Sequence, residues 1–192
     1  EQKTGPAWLA RHGMTSGQYQ TELNLRASQG YRLKWVEGYG IGAIDYYAAI
    51  WEKTTGPAYV ARHGMSSAQY QSNFNTYTAQ GYRLTHVSGY EVSGTDRYAA
   101  IWEKTSGPAW VARHRMTSQG YQHEFTDRLI QGYRLKSVDG YQIGTSARYT
   151  AIWHAEPRAL TATYCRNGQC FDNKRFADIL QTSLQGTVAK FG

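Results

Sequence analysis

One block of sequence occurs three times at a fixed 51-residue period, so whatever fold one copy adopts must be able to sit beside two others like it. Gly5-Pro6-Ala7-Trp8 returns as Gly56-Pro57-Ala58-Tyr59 and as Gly107-Pro108-Ala109-Trp110, and Ala49-Ile50-Trp51 returns as Ala100-Ile101-Trp102 and Ala151-Ile152-Trp153. Gln29-Gly30-Tyr31-Arg32-Leu33 recurs in the same register, with nothing inserted between copies. The chain divides into unit 1 (5–55), unit 2 (56–106) and unit 3 (107–157), followed by 158–192.

Within a unit the first apolar run, Ala7 to His12, reads as a short strand: Trp8, Tyr59 and Trp110 stay aromatic while Leu9, Val60 and Val111 stay aliphatic. Thr15 with Gln18, and Ser66 with Gln69, have capping-box spacing before a helix, and unit 3 breaks the box with Gly120. Tyr19, Leu23 and Ala27, with their counterparts Tyr70, Phe74, Thr78 and Tyr121, Phe125, Leu129, form one helical stripe. Gly30, Gly81 and Gly132 stand where a left-handed cap ends it.

A second strand is expected over Tyr31–Tyr39 and a third over Tyr46–Glu52, with a Gly-rich loop between them that differs in each copy and would hold any binding specificity. The expected fold is α+β: three tandem 51-residue β-α-β-β repeats forming a curved, mainly antiparallel, half-barrel-like sheet with helices packed on one face.

With 192 residues and 41% hydrophobic residues the chain can bury a core. Its net charge is +7, but Arg and Lys are scattered, with no dense basic run and no zinc-finger spacing, so nucleic acid is not an expected partner. No stretch approaches the ~18 apolar residues of a membrane span, and Glu1-Gln2-Lys3 opens polar, which suits a mature secreted chain and a cytosolic one alike. Cys165-Arg166-Asn167-Gly168-Gln169-Cys170 has a hairpin turn at its centre. Cys165 then faces Cys170 in a non-hydrogen-bonded pair, within disulfide reach, which predicts a bond between them and an extracellular location.

The repeated Trp or Tyr strand ending in Arg-His, the Met-Thr/Ser-Ser helix opening, Gln-Gly-Tyr-Arg-Leu and Tyr-x-Ala-Ile-Trp resemble the bacterial tandem repeat domain family over residues 5–154. Within it the chain looks most like the amino-terminal repeats of fungal polyglycine hydrolases, the chitinase-modifying proteins. The resemblance implies a secreted serine endopeptidase that cuts Gly-Gly bonds in plant chitinase linkers, with catalysis in a β-lactamase-like domain after the repeats. Asp172–Leu184, with Phe176, Ile179, Leu180 and Leu184 on one helical face, and Thr187–Gly192, which reads as a strand beginning, would be the entry to such a domain.

That chemistry needs a Ser with a Lys one turn later. The chain has no Ser-x-x-Lys and no Gly-x-Ser-x-Gly, so no catalytic residue and no cofactor is expected here. His12, His63 and His114, each after Arg and two before Met, are chemically able to hold zinc if they converge, but carry no repeated carboxylate to orient them; the alternative is a hydrogen bond at each strand end. Tyr39, Tyr90 and Tyr141, beside the variable loops, are expected to be exposed and to meet a glycan or a glycine-rich peptide. Arg32, Arg83 and Arg134 are binding candidates that read more simply as solvated edge charge. The functional expectation is a non-catalytic domain positioning a glycine-rich protein substrate for a following catalytic domain. The alternatives are a carbohydrate- or cell-wall-binding module and a structural spacer.

Overall fold

A computed structural model describes residues 5–156, together with the backbone of 163–166 and 169–172. Unit 1 comprises β1 (Trp8–Thr15), α1 (Ser16–Ser28), β2 (Arg32–Ile41) and β3 (Ile44–Glu52). Unit 2 repeats the order with β4 (Tyr59–Met65), α2 (Ser67–Ala79), β5 (Arg83–Val92) and β6 (Thr95–Glu103). Unit 3 does so with β7 (Trp110–Met116), α3 (Ser118–Ile130), β8 (Tyr133–Ile143) and β9 (Ser146–Ala155).

The helices begin and end where the residue chemistry places them. Gln18 Oε1 accepts the Thr15 N–H at 2.9 Å, and Gln69 Oε1 accepts the Ser66 N–H at 2.8 Å while Ser66 Oγ accepts from Gln69 N–H. In α3 the box is half made: Thr117 Oγ1 accepts the Gly120 N–H at 3.0 Å, and glycine has nothing to return. Gly30, Gly81 and Gly132 end the helices with φ of 81°, 83° and 82°, the left-handed cap.

The run from 39 to 45 is not a loop. Strands β2 and β3 pair through Ile41 and Ile44, leaving a two-residue turn. In unit 2 both turn residues, Ser93 and Gly94, have positive φ, matching the right-handed twist of the flanking strands. The sequence differences between copies therefore lie mostly on paired strands.

Each unit forms its own antiparallel three-stranded sheet, in the orders β1-β3-β2, β4-β6-β5 and β7-β9-β8. The arrangement is α+β and open, as expected, but the strands join across units through side chains and not through one continuous ladder. The reason lies at the edge strand β2. Ser88 Oγ accepts the Gly38 N–H at 3.1 Å, and the His86 Nε2–H donates to the Val36 carbonyl at 2.7 Å. At the next junction Asp139 Oδ2 accepts the Gly89 N–H at 2.6 Å. The edge groups that would recruit another strand are thus occupied by side chains of the following unit.

The trailing faces of units 1 and 2 are consequently covered by their own helices and by the next unit, whose leading face packs on them. Met14, Tyr19, Leu33, Val36, Tyr47 and Trp51 of unit 1 share a core with Tyr90, Val92, Ala99 and Ile101 of unit 2. Met65, Tyr70, Leu84, Val87, Tyr98 and Trp102 share the next with Ala112 and Ile152 of unit 3, and Tyr141 packs against it. The buried centre of the third core, Met116, Ala151 and Trp153, comes from unit 3 alone.

Past the repeats, β10 (Thr163–Arg166) and β11 (Gln169–Asp172) form an antiparallel hairpin in which Cys165 is the register partner of Cys170. The cysteine side chains, the Asn167-Gly168 turn, the helix expected over 172–184 and the strand expected from 187 lie outside the described residues.

Candidate functional site

The tyrosines expected at the surface are mostly in the junctions. Tyr90 is buried, with its ring laid against Gly38, so close that a Cβ built there would stand 2.2 Å from Tyr90 Cε1. Its hydroxyl lies 2.7 Å from the Tyr47 hydroxyl and donates to Asp45 Oδ2 at 3.1 Å. Tyr141 repeats the arrangement on Gly89, its hydroxyl 2.7 Å from that of Tyr98 and 3.1 Å from Asp96 Oδ1. Tyr39, on the first described unit, is half-buried and stacks on Tyr46 with ring centres 5.9 Å apart.

Burial pushes the Tyr90 and Tyr141 phenols well above the ordinary range, and Tyr98 up to about 12. The overlooked signal was the Gly-Tyr dipeptide at 38–39, 89–90 and 140–141: a glycine in a strand marks close approach, and the ring that approaches comes from the next copy.

The arginine series is also mortar. Arg32 Nη2 pairs with Glu103 Oε1 of unit 2 at 3.1 Å, and its guanidinium lies 4.8 Å from the centre of the Tyr59 ring. Arg83 Nη2 donates to the Pro108 carbonyl at 2.6 Å and covers Trp110 at 5.6 Å. Both are ties between units where solvated edge charge was expected; Arg134, on the last described unit, is exposed and reaches Glu156 at 3.3 Å.

The histidines do not meet at one point. His63 Nε2 and Ser16 Oγ lie 3.0 Å apart, with the Tyr19 and Tyr47 rings at 4.7 and 5.0 Å. His114 does the same one unit on, with Ser67, Tyr70 and Tyr98. His12, on the first described unit, is exposed. Burial lowers the His63 and His114 pKa values, so the neutral ring is the form that fits. The strand-end hydrogen bond is therefore made across the junction, to the first residue of the preceding helix. Among the described residues no group of three or more His, Cys, Asp or Glu is placed to hold a metal ion.

Asp96 carries a further tie. Arg115 stands at a bulge where units 1 and 2 have Gly13 and Gly64, and it keeps their left-handed conformation at φ 58°. A non-glycine residue there is strained, and its guanidinium offsets that by reaching the buried Asp96 at 2.5 Å.

Among the described residues, two surfaces are open to a partner. On unit 1, Trp8, 69% exposed, and Trp35, Ile41, Ile44 and Ile50 leave the leading face apolar and open. On unit 3, Pro108, Arg134, Lys136, His154 and Glu156 line an open concavity of about 410 Å³. Its Arg and Lys donors suit the carbonyls of an extended peptide. No helix among the described residues is long and apolar enough to cross a membrane.

A family model described as "Polyglycine hydrolase-like, structural repeat" matches residues 5–54, 56–105 and 107–156, once in each unit.

Proposed function

Because the chain belongs to the polyglycine hydrolase-like structural repeat family, we propose that it is the non-catalytic repeat domain of a secreted serine endopeptidase of that kind, holding a glycine-rich protein substrate for a following catalytic domain. The observation that supports this best is the use made of the repeated polar residues. The inner Tyr, Arg and His of each series join one unit to the next, which makes the array a stiff platform. A stiff platform favours orientation: binding part of a substrate at a fixed position converts a bimolecular encounter into a nearly unimolecular one. The contact surface in this reading is the concavity around Arg134 and Lys136, beside the end of the last repeat.

A Cys165–Cys170 disulfide belongs to the same proposal, resting on the register of the hairpin backbone. Intact mass before and after alkylation checks it; two alkylated thiols without reduction contradict it.

The second reading, a carbohydrate-binding module, rests on the exposed Trp8 and Trp35 rings, which suit stacking on sugars. Calorimetric titration of the chain into a chitinase with an intact glycine-rich linker, a linker-deleted chitinase and a chitin oligosaccharide separates the two. Linker-dependent heat with no cleavage is the expected result, lost in Lys136→Glu. Heat with the oligosaccharide alone overturns it in favour of the second reading, and cleavage of the linker by this chain overturns its non-catalytic character.

A further inference from the structure

The two ends of the repeat array carry the two halves of the junction that is made twice inside it. At the internal junctions the trailing face offers Val36 or Val87, a glycine at 38 or 89, a tyrosine at 47 or 98, a helix-start serine and an arginine at 32 or 83. The leading face brings the tyrosine that lies on the glycine, the histidine that meets the serine, and Ile101 or Ile152. At the first junction it also brings Glu103 to the arginine.

Unit 3 shows the same trailing set with nothing against it among the described residues. Val138 is 46% exposed where Val36 and Val87 are 0% and 2%. Gly140 has no ring from another unit over it, Tyr121 and Tyr149 stack on each other, and Ser118 and Arg134 are exposed. Unit 1 shows the matching leading set: Tyr39, His12 and Glu52, with Ile50 40% exposed where Ile101 and Ile152 are 1%. Glu37 stands at the position of Ser88 and Asp139, but its carboxylate is already held, accepting from Ser88 Oγ at 3.0 Å and from Trp35 Nε1 at 3.2 Å. The apolar positions and the charges of Glu52 and Arg134 are therefore complementary between the two ends.

We propose that these faces bind each other between molecules, the leading face of unit 1 of one chain docking on the trailing face of unit 3 of a second copy. Tyr39 then lies on Gly140 with its hydroxyl against Tyr149, His12 meets Ser118 over Tyr121, and Glu52 pairs with Arg134. One element is missing. Ala147 replaces the aspartate that, as Asp45 and Asp96, accepts from the phenols inside the array, so the contact between chains is weaker than the internal junctions and reversible. The interface joins two different patches, so it is heterologous and adds chains head to tail.

Sedimentation velocity of the full chain from dilute to concentrated solution tests this. The expected result is a sedimentation coefficient that rises with concentration through a series of species. Ile50→Asp blocks one face and Val138→Asp the other; both positions are open in the single chain, and unchanged circular dichroism confirms each fold. Each variant alone should stay at the mass of one chain, and an equal mixture should stop at twice that mass, since one free leading face and one free trailing face remain. A parent chain at single mass at every concentration overturns the proposal, whether a glycan, a following segment or nothing takes the faces. Self-association that survives in either variant alone overturns it too, because a symmetric interface needs only one kind of face.

Discussion

The glycine at 38 does in one residue what the rest of a junction depends on: by having no Cβ it lets the Tyr90 ring reach the β2 backbone and lets that phenol close on Tyr47 and Asp45. Alanine in a strand is ordinarily the better residue, by about 0.5–1 kcal/mol. Here the new methyl meets a buried ring pinned by two hydrogen bonds, and overpacking of that kind costs about 1–3 kcal/mol. Gly38→Ala is therefore expected to destabilise the chain by about 2 kcal/mol in urea unfolding. Gly140→Ala, whose nearest neighbour is Tyr149 Cε1 at 3.4 Å, is expected to stay within about 0.5 kcal/mol of the parent in dilute solution. Equal costs at the two sites would mean that Tyr90 does not lie where it is described. The same pair shows what a lone sequence reveals. Its Gly-Tyr repetition is visible, but a ring that leans on another copy's glycine looks, within one copy, like a surface aromatic beside a turn.

At the scale of the element, the parts fixed by local chemistry were legible and the parts fixed by neighbours were not. The helix limits follow from Thr15, Ser66 and Thr117 and from the capping glycines. The hairpin of Cys165 and Cys170 follows from Asn-Gly. The strands β2 and β3 were read two residues short on either side of their turn, because glycines and polar residues at 40–45 look like loop when their strand partners are unknown. The division into three sheets was not legible, since the groups closing the β2 edge, Ser88 and His86, are fifty residues away. The half-made cap of α3 gives a prediction at this scale. In Gly120→Gln the new side chain can accept the Thr117 N–H, as Gln18 and Gln69 do for Thr15 and Ser66, and a poor helix former is removed. A gain of about 1 kcal/mol is expected, measured as a shift of the urea midpoint at constant slope. No gain would show that α3 is held by packing alone.

For the molecule as a whole, the junctions make stability depend on pH from both sides. Burial lowers the pKa of His63, His86 and His114, so the folded chain refuses protons that the unfolded chain binds below about 6.5. The unfolded state then holds more protons, and stability falls as the pH falls. Glu37 and Asp139, raised by burial, act in the opposite sense, and their protonation in the folded state helps it at lower pH. The histidine loss should therefore show most clearly between about pH 7 and 5.5.

At the alkaline end the sign reverses. The phenols of Tyr47, Tyr90, Tyr98 and Tyr141 are raised by burial, so above about pH 10 the unfolded chain releases protons that the folded chain keeps. Each fully displaced group then contributes a slope of about 1.4 kcal/mol per pH unit against folding. Urea midpoints measured from pH 5 to 11 should form a plateau bounded by both losses. Ser16→Ala leaves the alkaline limb intact, because the Tyr47, Tyr90 and Asp45 triangle does not involve that hydroxyl. Tyr90→Phe should lower the plateau by about 1–3 kcal/mol, since the hydrogen bond to the half-buried Asp45 carboxylate is lost, and should make the alkaline fall shallower by the slope of one group. An alkaline limb unchanged in Tyr90→Phe would place the titrating phenols elsewhere and leave the junction tyrosines without the role their geometry gives them.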